Sequence, residues 1–186
     1  MIGDAFTPVL EAARSGEPWA FEAIYRDLAP AVLGYLRSQR AAEPEDLASD
    51  VFVGVVRGLP SFRGDERGFR SWVFSIAHRR LVDERRRLAR RREDAVDPSL
   101  MSGPLAASSV GDAEAEALAR IRQGWALRVL GLLTEDQRSV LLLRILADLS
   151  VEEVAGILGK RPGAVKTLQR RALASLARHL DREGVS

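Results

Sequence analysis

The chain has no cysteine. That removes disulfides and thiolate metal sites, and it fits a reducing cytoplasm, the location expected for this protein. Histidine occurs twice, at His78 and His179, far apart and without cysteine partners, so no metal site is expected. No uncharged apolar run approaches the roughly 20 residues of a membrane-spanning helix, so membrane insertion is not expected. The N-terminus lacks the basic-then-apolar order of a secretory signal. No stretch alternates apolar and polar residues long enough to argue a strand. No nucleophile–base pair and no phosphate-cradling glycine loop stands out, so the reading includes no catalytic residue and no cofactor.

What is present suffices for folded cores. Of 186 residues, 46% are hydrophobic, enough for one domain or two small ones. Glycine, alanine and arginine are abundant, whereas lysine is scarce. The net charge of +2 hides a pattern. Residues 1–62 carry 5 basic and 9 acidic side chains, and residues 63–92 carry 11 and 4. Residues 93–118 carry 6 acidic and no basic side chains, and residues 119–186 carry 12 basic and 7 acidic. Two basic blocks around an acidic spacer point to two contacts with a polyanion.

The apolar spacing predicts an all-α protein of two small helical domains, 1–92 and 118–186, joined by a flexible acidic linker over 93–117. A first helical segment carries Phe21, Ile24, Tyr25 and Leu28, is interrupted near Pro30, and resumes with Val32, Leu33 and Leu36. A second starts at Pro44 with Leu47, Val51, Phe52, Val55, Val56 and Leu59 on one stripe. After the loop 61–68, a long helix places Phe69, Trp72, Val73 and Ile76 inward and runs out through Arg90, Arg91 and Arg92. Helical spacing returns with Leu118, Ile121 and Trp125, and Thr134 with Gln137 forms a capping box.

The last third orders its signals as a helix-turn-helix. Ser150 with Glu153 is a second capping box. Val151, Val154, Ala155 and Leu158 repeat at helical spacing, Gly159 ends the helix, and Pro162 suits the first turn of the next. The second helix buries Val165, Leu168, Ala172 and Leu176, leaving Lys166, Thr167, Arg170 and Arg171 outward. A short helix, a tight turn and a basic second helix fit a DNA major groove.

Taken in order, several segments carry a resemblance. They are Ala20–Tyr25, Glu45–Phe52, Phe62–Asp65, Phe69–Ala77, Asp83–Arg87, and Gly163–Thr167 with Arg171 and Ala172. Over roughly Trp19 to Leu180 the chain resembles an extracytoplasmic-function sigma factor, the small two-domain class of bacterial transcription initiation factors. The resemblance implies an N-terminal domain for the minus-ten promoter element and a C-terminal one for the minus-thirty-five element. Its implied partners are promoter DNA, core RNA polymerase and an anti-sigma protein. On the polymerase these are the clamp helices of the largest subunit and the flap of the second largest.

The resemblance also assigns residues. Glu45, Asp46, Ser49 and Asp50 would meet the polymerase, with Ser49 standing where the family often has glutamine. Phe62, Arg63, Asp65, Phe69, Arg70 and Trp72 would meet minus-ten bases, with Arg79, Arg80, Arg85 and Arg86 along the backbone. Phe69 and Trp72 also fit a core stripe. Arg161, Ala164, Lys166, Thr167, Gln169, Arg170 and Arg171 would face minus-thirty-five DNA. Two rivals remain at this stage. A stand-alone regulator with the same helix-turn-helix would bind DNA without polymerase. A metal-dependent nuclease would need a tighter carboxylate cluster than Asp65, Glu66, Asp83 and Glu84 provide.

Overall fold

The computed structural model describes residues 2–94 and 124–183. Among the described residues the regular structure is helical: α1 Phe6–Arg14, α2 Pro18–Ser38, α3 Pro44–Gly58, α4 Glu66–Asp94, α5 over 124–130, α6 Glu135–Ile145, α7 Val151–Leu158 and α8 Pro162–Glu183. Helices α1 to α4 form one bundle, with α1 against α2 and α3 against both α2 and α4. Helices α6, α7 and α8 pack on one another as a second unit. The expected linker lies outside the described residues from 95 onward, as do Leu118 and Ile121; Glu93 and Asp94 instead extend α4.

Each helix follows from a local cause. Helix α1 was not expected, although Phe6, Val9, Leu10 and Ala13 repeat at one-face spacing and all are buried. Helix α2 is continuous through Pro30, against the expected interruption. Pro30 is exposed, so water can serve the Arg26 carbonyl that loses its helical donor. Buried Ile24, Leu28, Val32, Tyr35 and Leu36 hold the helix on both sides of it. Each such apolar side chain contributes roughly 1.5–3 kcal/mol on burial, which offsets one missing hydrogen bond. Val56, expected on the buried stripe of α3, instead faces outward.

Both capping boxes form. Thr134 accepts from the Gln137 amide and Ser150 from the Glu153 amide, each with the return bond from the third side chain. Gly159 takes the left-handed conformation, φ 62°, that terminates α7. Pro162 opens α8, and Val154, Ala155, Val165 and Ala172 are buried between α7, α8 and their neighbours.

The two units touch. Helix α7 packs on α4 and α6 on α2, and Val140, Leu143, Val154 and Val165 share one apolar cluster with the N-terminal bundle.

Candidate nucleic-acid interface

The loop between α3 and α4 is an aromatic stack on a polar frame. Trp72 lies so close to α3 that a Cβ at Gly58 would stand 2.5 Å from its ring. On its other side Trp72 stacks with Phe62, centroids 5.2 Å apart at 29°. Phe62 meets Phe69 edge-on at 5.1 Å, and Arg14 donates to the Phe62 carbonyl from α1. Asp65 accepts the Gly68 amide at 2.7 Å and so caps α4.

This arrangement corrects the sequence reading at three residues. Phe69 is 2% exposed and belongs to the core that supports the loop. Arg70 is 8% exposed and is paired with Asp27 at 3.1 Å, so it braces α4 against α2. Arg85 turns away from the outer face: it donates to the Gln39 carbonyl at 2.6 Å and pairs with Glu135 of α6. Phe62, Arg63, Asp65, Trp72, Arg79, Arg80 and Arg86 keep surface access. Arg63 is steadied by the carbonyls of Pro60 and Phe62, both at 2.8 Å, and Arg79 by that of Ser75 at 3.3 Å. An aromatic pair flanked by exposed guanidiniums can stack bases and hold phosphates.

The polar face of α3 presents Asp46 and Asp50 to solvent. Glu45 beside them accepts from Arg37 Nε at 3.1 Å, and that hydrogen bond holds its carboxyl below the usual range. Ser49 is exposed but spends its hydroxyl on the Glu45 carbonyl at 3.0 Å. The free acidic surface is therefore Asp46 and Asp50, beside the exposed ring of Tyr25 on α2 and exposed Val53.

Arg161 just before α8 is exposed, and Ala164, Lys166, Arg170 and Arg171 are exposed on the helix itself. Thr167 spends its hydroxyl on the Gly163 carbonyl at 2.9 Å, and Gln169 is half-buried. The opposite side puts Val165 and Ala172 in the core, with Leu168 and Leu176 partly covered. The helix thus carries a cationic edge on a fixed apolar back, the form a groove reader needs.

Sequence reasoning missed the seam between the two units. Gln39, 1% exposed, donates from Nε2 to Ser139 Oγ at 2.7 Å. Beside it Tyr35 Oη and His78 Nδ1 share a hydrogen bond of 3.0 Å. Burial pushes the Tyr35 phenol up, and burial with the Arg85 charge holds His78 below its ordinary value, so both stay neutral. At the other end Arg67 pairs with Glu153 at 3.1 Å. Burial alone would raise Glu153, but the hydrogen bonds from Ser150 and Arg67 outweigh it and hold the carboxyl low. These partners lie up to 100 residues apart, with no local spacing to reveal them.

Comparison with known proteins agrees with this geometry. The sigma-70 region 2 family matches residues 24–91, and the sigma-70 region 4 family matches residues 123–176. The ECF RNA polymerase sigma factor ShbA of Streptomyces griseus is 33% identical over 175 residues, covering 90% of this chain and 91% of that protein. RNA polymerase sigma factor YlaC of Bacillus subtilis is 32% identical over 164 residues, 87% of this chain and 92% of that protein. Among solved structures, CnrH in complex with the cytosolic domain of CnrY matches with a TM-score of 0.66 at 24% identity, over 96% of this chain and 99% of that one. The likeness to CnrH concerns the fold. The family matches and the relatives together establish that this chain belongs to the extracytoplasmic-function sigma factors, which bind core RNA polymerase and direct it to promoters.

Proposed function

We propose a division of this work along the chain. The 1–92 unit docks on the clamp helices of the largest polymerase subunit through Asp46 and Asp50 and engages the minus-ten element. The 93–117 segment is the tether. The 118–186 unit binds the minus-thirty-five element through α8 while resting on the flap of the second-largest subunit. The observation that carries this reading is the separation of charge: exposed carboxylates on α3, and exposed guanidiniums on α4 and α8. The carboxylates would repel the phosphate backbone at the first surface, and the guanidiniums attract it at the other two. The protein acts in the cytoplasm, where the polymerase is.

An anti-sigma protein is proposed as the regulator. Support comes from a groove of about 1040 Å³ running between α2, α3 and the C-terminal unit, with Tyr25, Ala29, Leu33, Leu127 and Leu146 in its lining. It has the apolar character that an amphipathic helix seeks. CnrH, a protein of the same fold, was solved with the cytosolic domain of CnrY bound.

The test is run-off transcription with purified core polymerase on genomic fragments, with and without the protein. Discrete new starts that share two spaced motifs support the reading. Absence of both starts and core binding overturns it.

A further inference from the structure

The N-terminal segment grips the connection from α3 to α4 at both of its ends. At the start, Arg14 on the last turn of α1 donates from Nε to the Leu59 carbonyl at 3.4 Å and from a terminal nitrogen to the Phe62 carbonyl. At the finish, Glu66 accepts the Ile2 amide at 2.5 Å on one carboxylate oxygen and the Gly3 amide at 3.0 Å on the other. Between these points the Phe6 ring meets that of Phe69 at 5.5 Å and seats α1 on α4. The middle of the connection, Arg63, Gly64 and Asp65, is exposed. Helix α1 also precedes the sigma-70 region 2 match, which begins at residue 24.

The bond to Leu59 is what any cation would make at a helix C-terminus, since Leu59 directly follows α3. The bond to Phe62 lies past that end and reaches the residue whose ring stacks on Trp72. The same carbonyl accepts Arg63 at 2.8 Å, so one oxygen fixes the backbone from which the Phe62 ring and the Arg63 cation both project. Holding that backbone matters for binding. Fixing one residue of a free loop lowers affinity by roughly five- to thirtyfold, a loss that a loop ordered in advance avoids.

We propose that α1 braces the promoter loop, with Arg14 and Glu66 as positioning residues that hold residues 62–65 ready for the minus-ten strand without touching DNA themselves. This inference rests on the minus-ten role proposed above for the 1–92 unit. The two residues carry opposite charges, which separates positioning from direct electrostatics. An arginine on a phosphate would contribute about one to the salt slope of binding. A glutamate that merely faced the DNA would repel it, and its neutralisation would tighten binding. A brace requires that losing either residue weakens binding and leaves the salt slope unchanged.

The experiment titrates reconstituted holoenzyme with a fluorescent single strand carrying the minus-ten sequence of a promoter found by run-off transcription, over a range of salt. Wild type is compared with Arg14→Ala, Arg14→Lys and Glu66→Gln. Core-polymerase affinity is measured for each, with hydrogen exchange of the Phe62 amide, which donates to the Gly58 carbonyl at 3.1 Å. Arg14→Ala and Glu66→Gln are expected to weaken strand binding by about tenfold each, with faster exchange at Phe62 and unchanged core affinity. Arg14→Lys, with one ammonium in place of the fork, should recover part of the loss. A salt slope lowered by about one in Arg14→Ala overturns the brace in favour of phosphate contact. Tighter binding by Glu66→Gln overturns it, as does strand affinity equal to wild type in both variants. A loss of strand binding matched by the loss of core binding also overturns it, because that marks a general role in the fold. No strand binding by the wild-type holoenzyme would instead overturn the minus-ten reading itself.

Discussion

Asp46 and Asp50 stand in solvent on α3, and Lys166 and Arg170 stand in solvent on α8. Substituting any of them removes a charge without opening the core, so the effects should separate by partner. Asp46→Lys and Asp50→Lys are expected to weaken core-polymerase binding by about tenfold or more each, since charge reversal replaces attraction by repulsion. Lys166→Ala and Arg170→Ala should weaken promoter binding by about tenfold at unchanged core affinity. Fluorescence titration with core polymerase and with promoter-bound holoenzyme checks both; equal loss of both functions in one variant overturns the division. His78 gives a prediction of another kind. Its folded value lies below the ordinary 6.5, so the unfolded chain binds the proton first on acidification. Stability should be level above about pH 6.5 and decline below it through this group. Thermal melts across that window, with a His78→Gln control that flattens this component, test the sign. Of these residues the α3 and α8 charges were legible in the sequence because they follow helical spacing. The burial of Arg70 was not, because its partner Asp27 is on another helix.

At the scale of elements, what the sequence disclosed was local chemistry. Ser150 with Glu153, Gly159 and Pro162 each act within a few residues, and all three do in the structure what their spacing predicted. What it concealed was set by packing. Pro30 reads as a break, yet α2 passes through it because five large buried side chains flank it. Phe6 to Ala13 has no part in the sequence reading, yet α1 forms, with its Phe6 ring 5.5 Å from that of Phe69. Asp65, read from the sequence only as part of a DNA loop, also caps α4. The close contact of α3 with α4 yields a prediction here. Gly58→Ala would force the indole of Trp72 off α3 and away from its stack on Phe62. Overpacking of this kind typically costs about 1–3 kcal/mol. A lowered denaturation midpoint and an altered tryptophan emission are expected, together with weakened minus-ten binding. Native stability and emission in the variant would show that the ring is not held as described.

For the molecule as a whole, the seam between the two units conflicts with the promoter. Elements about 25 base pairs apart lie roughly 85 Å from each other along B-DNA at about 3.4 Å per pair. A compact chain of this length has a radius of gyration of about 16 Å. The packed form therefore cannot touch both elements, and α4 must part from α7 and α2 from α6 before the holoenzyme engages DNA. Opening releases Arg85 from Gln39 and Glu135. Two kinds of contact resist that release. The Arg67–Glu153 pair is exposed on the arginine side, so salt weakens it. The Gln39–Ser139 hydrogen bond is buried, so salt does not. Ser139→Ala leaves the Gln39 amide without its acceptor in a dry site, a cost of about 1–3 kcal/mol to the closed form only. Combined with Glu135→Ala it should shift the population toward open molecules. If the polymerase binds the open form, apparent affinity rises in proportion to that fraction, by about fivefold for 1 kcal/mol and by up to about 160-fold for 3 kcal/mol while the closed form still predominates. Small-angle scattering should show a larger radius of gyration for the double variant, and polymerase titration the tighter binding. Expansion without tighter binding would mean that the polymerase accepts the closed form and opens it afterwards. No expansion would mean that the apolar contacts of Val154 and Val165 with the N-terminal bundle hold the seam by themselves.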